Sequence, residues 1–182
     1  MMKKITIGLM VLCFLFISNA AIAKSSYFGV NYMVTDFESK DANTSADLDG
    51  VILNFGQYLH KNFAIEGRFG FGFSWDTYNN LPQTSIDYRL NFVSGIYLRG
   101  ELPLGKFRPY ANIGLSYVEV RVDGRYNNWP VYGYDSDGDF SYGAGLDFQI
   151  TDAVGLNVDY MMLIDSSRRK VDSMSGGLKF YY

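Results

Sequence analysis

Apolar and polar residues alternate with a period of two along most of this chain. Over 63–75, Phe63, Ile65, Gly67, Phe69, Phe71, Phe73 and Trp75 share one side, while Ala64, Glu66, Arg68, Gly70, Gly72 and Ser74 share the other. Successive side chains of a strand point to opposite faces, so one face here is bulky and apolar and the other small or charged. The same split recurs over 140–150, where Phe140, Tyr142, Leu146, Phe148 and Ile150 oppose Ser141, Gly143, Gly145, Asp147 and Gln149. Over 154–164, Val154, Leu156, Val158, Tyr160, Met162 and Ile164 oppose Gly155, Asn157 and Asp159. Over 86–98, Ile86, Tyr88, Leu90, Phe92, Ile96 and Leu98 oppose Asp87, Arg89, Asn91 and Gly95.

Turn signals divide the chain into eight such strands: 26–36, 48–59, 63–75, 85–99, 107–122, 138–150, 154–165 and 171–182. Each is as long as, or longer than, the ~9–11 residues a tilted strand needs to cross a membrane. The connections alternate in length. His60-Lys61-Asn62 and Thr151-Asp152-Ala153 are tight and 100–106 is moderate, whereas 37–47, 76–84, 123–137 and 166–170 are the generally longer, polar set. Short turns at one rim and longer loops at the other are the mark of an up-and-down barrel.

Which face points inward decides between a soluble and a membrane barrel. An eight-stranded barrel has an interior only just wide enough for side chains to fill it. The crowd of Phe, Tyr, Leu and Ile on the apolar faces does not fit there. The opposite face carries Gly, Ser and Asn with scattered charges of both signs, which suits a narrow polar lumen. The expected fold is therefore all-β, an eight-stranded antiparallel up-and-down transmembrane barrel with its apolar face to lipid. Closure satisfies every backbone group without water.

The first 23 residues break the pattern. Lys3 and Lys4 precede an apolar run from Ile5 to Ile17, and small residues end at Ala21-Ile22-Ala23. That order is a secretory signal peptide, expected over 1–23 and cleaved after Ala23, with the barrel domain over 24–182. Cys13 lies inside the apolar run behind Leu12, a poor setting for lipid attachment. It is the only cysteine, so the exported chain has no disulfide or thiol chemistry. Without Lys3 and Lys4, the 16 basic residues become 14 against 19 acidic ones, a formal charge of −5. With no basic patch, nucleic acid is excluded as a partner. Phe, Tyr and Gly, at 14, 15 and 19 residues, are abundant for a soluble domain.

The segments "YFGVNYM", "NFGQYLHKNFAIEGRFGFG", "RPYANIGLSY" and "FSYGAGLDFQITDAVGLNVDYM" together resemble the OmpA/OmpX-like family of eight-stranded outer-membrane β-barrels of Gram-negative bacteria. The resemblance spans the whole exported chain and describes architecture more than function. It implies residence in the bacterial outer membrane among lipid and lipopolysaccharide. It also implies insertion by the barrel-assembly machinery with periplasmic chaperones. The larger OmpA-type proteins add a peptidoglycan-binding domain, and a single barrel domain without that role is expected here. The closing "SGGLKFYY" resembles the family's C-terminal assembly signal, carried by Ser175, Gly177, Phe180 and Tyr182. Phe180 and Tyr182 are expected on the lipid face with Met174 and Leu178, and Lys179 and Tyr181 inside.

Candidate chemistry falls in three places. Glu66, Arg68, Asp87, Arg89, Asp147, Asp159 and Lys179 are expected to line the lumen. Charges in so narrow a space must be paired, so they form either an ion-pair plug or, alternatively, a narrow porin-like channel. In "YDSDGDF", Asp135, Asp137 and Asp139 are spaced like the first ligands of a calcium loop, but Phe140 and Leu146 stand where Gly and Glu are required. The loop 123–137 holds Arg125, Tyr126, Trp129, Tyr132 and Tyr134, residue types that anchor interfaces. It is the candidate contact for an extracellular or host ligand or for neighbouring lipopolysaccharide. Trp75 and Tyr78 suit an interfacial girdle. A lipid A-modifying enzyme is the remaining alternative. The single histidine, His60, sits in a turn at the periplasmic rim, about 25 Å below the outer leaflet. No enzyme activity and no cofactor are expected; the role is structural or interactive, in envelope integrity, adhesion or recognition.

Overall fold

The computed structural model describes residues 26–39, 44–81, 84–126, 129–167 and 169–182. The leader expected over 1–23 lies outside them. Among the described residues every element is a strand: β1 (Ser26–Ser39), β2 (Thr44–His60), β3 (Phe63–Gly72), β4 (Trp75–Leu81), β5 (Thr84–Glu101), β6 (Phe107–Tyr126), β7 (Trp129–Gln149), β8 (Val154–Asp165) and β9 (Arg169–Tyr181). Sequence neighbours pair antiparallel, β1 also pairs with β9, and β3 pairs with β5. β3 and β4 are one stave, since both lie along β5. They part at Phe73 and Ser74, whose amides both bond the Asp49 carbonyl, at 3.0 and 3.4 Å. The result is a closed barrel of eight staves, with no free edge around its waist.

Alternation decides the faces. On β1, Val30, Tyr32 and Val34 face out, and Asn31, Met33 and Thr35 are buried inside. The outward apolar band ends at Val34 on β1, Met174 on β9 and Tyr117 on β6, beyond which Asp36, Asp172 and Glu119 follow. From Phe107 to Tyr117, a strand tilted by ~40° and rising ~3.4 Å per residue climbs roughly 26 Å, close to the ~25 Å apolar band of such barrels.

Two register shifts interrupt the alternation. Between Leu90 and Phe92 one residue is inserted on β5, so that Phe92 opposes Glu119 while Leu90 opposes Val120. A bulge moves all that follows it to the other face. Phe92, Ile96 and Leu98 therefore face lipid, as expected, but Leu90 points into the lumen and is 1% exposed. A second shift between Met162 and Ile164 on β8 buries Ile164, expected on the lipid face.

The longer connections differ from the expected loops. β6 has 20 residues and β7 has 21. Their ladder runs unbroken from Phe107↔Phe148 to Tyr126↔Trp129. Within the segment 123–137, residues 123–126 and 129–137 are thus paired strand, not loop. Most of 37–47 is likewise paired, from Asp36↔Asp47 to Ser39↔Thr44. At ~3.4 Å per residue and a ~40° tilt, β6 climbs roughly 50 Å, about twice the band, so its upper half stands clear of the membrane.

Candidate functional site: the filled lumen and the projecting hairpin

The lower half of the lumen, toward the tight turns, is a closed ionic network. Arg99 is its hub. Its Nη2 lies 2.5 Å from Asp147 Oδ2, its Nη1 3.3 Å from Glu66 Oε2 and its Nε 3.2 Å from Glu101 Oε2. Arg68 reaches Glu66 at 2.7 Å and Asp159 at 2.6 Å. The contact with Asp159 is close enough for an ion pair but not aligned as a hydrogen bond. Lys179 Nζ donates to both oxygens of Asp147 at 3.0 and 2.8 Å. Arg108, part-exposed at the rim, closes on Glu101 at 3.2 Å. Four cations thus meet four carboxylates, so the buried charge cancels within the network.

Tyrosines insulate these charges. Tyr27 donates to Glu66, Tyr58 to Glu101 at 3.0 Å, and Tyr110 to Asp159 at 3.1 Å. The Arg99 guanidinium lies 3.4 Å from the Tyr110 ring centroid, and Lys179 Nζ lies 4.4 Å from that of Tyr27. Inward glycines make the room. A Cβ on Gly56 would lie 2.0 Å from the Tyr27 ring, and one on Gly145 2.4 Å from that of Tyr110. Ser175, one of the four C-terminal signal positions, donates to Asp159 at 2.7 Å.

Above this network the lumen turns apolar. Met33, Leu48, Ile52, Leu90, Val93, Val118, Val120, Met161, Leu163 and Val171 pack there at no more than 3% exposure. The alternation did not signal this layer, because apolar residues were assigned to lipid. Val118 and Val120 betray it: they alternate with Tyr117 and Glu119, so both faces of that strand read as occupied.

Of the charges expected inside, Glu66, Arg68, Asp147, Asp159 and Lys179 meet in the network. Arg89 does not. It is exposed, because the bulge after Leu90 turns it outward. The side chain of Asp87 lies outside the described residues. Arg99 and Glu101 share the inward parity of Gly95 and could have been read from it; they were passed over because Arg99 ends the strand expected over 85–99 and Glu101 falls in the connection expected over 100–106. Arg108 completes the set.

The projecting hairpin carries the expected contact residues on strands. Arg125 pairs with Pro130 and Tyr126 with Trp129 along the ladder; the side chains of Arg125, Tyr126 and Trp129 lie outside the described residues. Tyr132 and Tyr134 are 68% and 65% exposed, with Arg121 5.8 and 5.9 Å from their ring centroids. Arg121 also pairs with Asp123 at 2.8 Å. The three aspartates of "YDSDGDF" lie on β7. Asp135 pairs with Arg169 at 2.7 Å and Asp139 accepts the Asp165 amide at 3.3 Å. His60 ends β2 at the tight-turn rim, exposed and 6.4 Å from the Phe63 ring.

The last strand lies as expected. Met174, Leu178, Phe180 and Tyr182 face out, Lys179 is buried inside, and the Tyr181 hydroxyl donates inward to Asp147 at 3.2 Å. Ser26 and Tyr182 exchange backbone hydrogen bonds at 3.1 and 3.0 Å, closing the first strand on the last.

A closed antiparallel barrel with a belt of lipid-facing apolar residues and a filled interior defines the class: an integral membrane β-barrel of the bacterial outer membrane. Over residues 8–179 the chain matches the family described as outer membrane protein beta-barrel domain, and it belongs to that family. No curated protein matches it in sequence. Among solved structures it is similar to Ail, the attachment invasion locus protein of Yersinia pestis, at 13% identity and a TM-score of 0.66, covering 88% of this chain and 100% of Ail. Another Ail structure, at 12% identity and TM-score 0.65, holds the heparin analogue sucrose octasulfate. Neisserial surface protein A is similar at 13% identity and TM-score 0.63, over 86% of this chain and 97% of that one. OprG from Pseudomonas aeruginosa is similar at 13% identity and TM-score 0.55, over 88% of this chain and 96% of that one.

Proposed function

We propose that this barrel is a non-conducting surface protein of the outer membrane, whose interactive part is the projecting β6–β7 hairpin. One observation carries the reading: the lumen is filled twice, by an ionic network below and by an apolar layer above. An ion crossing it would have to displace packed Met161, Leu163 and Leu90 after breaking the pairs of Arg99. That favours a structural or recognition role over the porin-like alternative. Against a lipid A-modifying enzyme stands His60, held at the rim farthest from the outer leaflet. The face formed by Tyr132, Tyr134 and Arg121 has the chemistry to stack on a saccharide and pair with its anionic groups. The heparin analogue bound by Ail is a ligand of that kind. An extracellular or host polyanion, or the lipopolysaccharide around the barrel, is the partner this face fits, with adhesion or envelope integrity as the outcome.

Planar-bilayer recording tests the first part: the purified barrel gives no stable conductance, and large, persistent open steps would overturn the reading. Replacing Tyr132 and Tyr134 by serine tests the second. Binding of immobilised heparin or lipopolysaccharide is expected to fall, with the barrel still inserted. Export through the 1–23 leader and assembly directed by Ser175, Gly177, Phe180 and Tyr182 belong to the same proposal. Serine at both Phe180 and Tyr182 is expected to block insertion by the assembly machinery, read as loss of the heat-modifiable band from outer-membrane fractions.

A further inference from the structure

We infer that the lipid-facing wall holds a seat for one acyl chain of an inner-leaflet phospholipid, running across β2, β3, β5 and β6. A groove of about 310 Å³ crosses the outward surface there. One outward row reads Phe55, Gly67, Ile96 and Leu115 in register across these strands, so Gly67 is a notch between bulky neighbours. The small Ser94 lies beside it on β5, facing Phe69 across the ladder.

Nothing in the barrel wall requires glycine at 67. A Cβ built there meets no atom nearer than the Phe55 carbonyl oxygen, at 4.0 Å. This is the reverse of Gly56 and Gly145, whose missing Cβ atoms make room for lumen tyrosines. The space at Gly67 opens instead on the side where hydrocarbon is the solvent. An unfilled apolar notch forfeits dispersion contacts on its open side, and a chain lying along it restores them.

The two ends of the groove differ, and the difference sets the direction of the lipid. At the upper end the rings of Phe69, Phe92 and Tyr117 stand in line, with centroids 6.0 and 5.6 Å apart, and form an apolar stop. The lower end reaches Ser26, Gln57 and Tyr182 at the tight-turn rim, where Ser26 Oγ donates to Gln57 Oε1 at 2.8 Å. Polar groups there suit the ester and headgroup region, and the apolar stop suits the terminal methyl. Strand tilt makes a row that crosses the strands climb from that rim, so a chain in it rises from the inner leaflet toward mid-membrane.

Photolabelling tests this. The whole barrel is reconstituted in phosphatidylethanolamine–phosphatidylglycerol vesicles doped with phosphatidylethanolamine bearing a mid-chain diazirine, irradiated, and mapped by peptide mass spectrometry. Adducts are expected to concentrate on peptides spanning 65–69 and 94–96, several-fold above the face of Leu156, Val158 and Leu178. A probe with its diazirine near the glycerol is expected at Gln57. Gly67→Leu fills the notch and is expected to abolish the excess; Ser94→Leu is the second variant, and heat-modifiable gel mobility confirms that each is folded. Even labelling around the barrel would overturn the inference. So would an excess that survives both substitutions, a glycerol-near probe that labels Tyr117 rather than Gln57, or a barrel-to-barrel cross-link through this face.

Discussion

The two halves of the lumen fill the same narrow space with opposite materials. Below, four cations and four carboxylates pack with tyrosines; above, methionines, leucines and valines pack against one another. The lower half is specific and brittle. Its charges are tolerable only while each keeps its partners, because an unpaired charge out of water costs several kcal/mol. The upper half is tolerant in chemistry but sensitive to volume, as any close-packed core is. Together they close the pore twice by independent means, so a single lost side chain does not open it. The ionic half stands at the rim where β1 meets β9, and its members come from β3, β5, β6, β7, β8 and β9. It therefore ties the first strands to the last, as ring closure requires.

Substitutions can separate the two halves. The largest effect is expected from Arg99→Met, which removes one cation from Glu66, Glu101 and Asp147 at once and leaves four buried carboxylates facing three cations. A loss of about 3–5 kcal/mol is expected in urea unfolding of the reconstituted barrel. Met161→Ala in the apolar layer leaves a cavity without an unpaired charge, and about 2–5 kcal/mol is expected from the same measurement. If Met161→Ala proved clearly the costlier, the apolar layer would be the stabilising half and the ionic one a filler. Arg99→Lys keeps the charge but loses the planar fork that serves three carboxylates. About 1.5–3 kcal/mol is expected, and a loss equal to that of Arg99→Met would show that geometry rather than charge holds the network.

The smallest effect lies above both halves, outside the apolar band. Asp36 stands between Asp47 and Asp172 on neighbouring strands, an outward row of three carboxylates. Partial burial, then repulsion from Asp172 and Asp47, raises the Asp36 carboxyl above its ordinary value. The folded state then holds this proton more tightly than the unfolded one. Stability therefore falls as pH rises from the ordinary carboxylate range through the raised value, and stays lowered above it. Asp36→Asn is expected to stabilise slightly at neutral pH and to make no difference in acid below the ordinary carboxylate range. Unfolding midpoints at the two pH values check the sign.

Much of this was legible in the sequence. Strict alternation in 63–75, 140–150 and 154–164 is enough to count the strands, and the bulk of one face is enough to turn it toward lipid. Glu66, Arg68, Asp147, Asp159 and Lys179 could be placed in the lumen because their strands keep an unbroken period back to a tight turn or to the chain's end. Three things only the tertiary structure decided. One inserted residue at Asn91–Phe92 turns Arg89 outward and Leu90 inward. A bulge is a property of two paired strands, and one strand alone does not reveal where its partner skips. The paired character of 123–126 and 129–137 was hidden by a composition of Gly, Asp, Asn and Tyr that reads as loop; cross-strand bonding from β6 to β7 holds them extended. The apolar upper lumen was hidden because alternation reports which residues share a face but not how far along the barrel the polar filling reaches. That depends on how many strands contribute a side chain at each height, which closure of the ring alone determines.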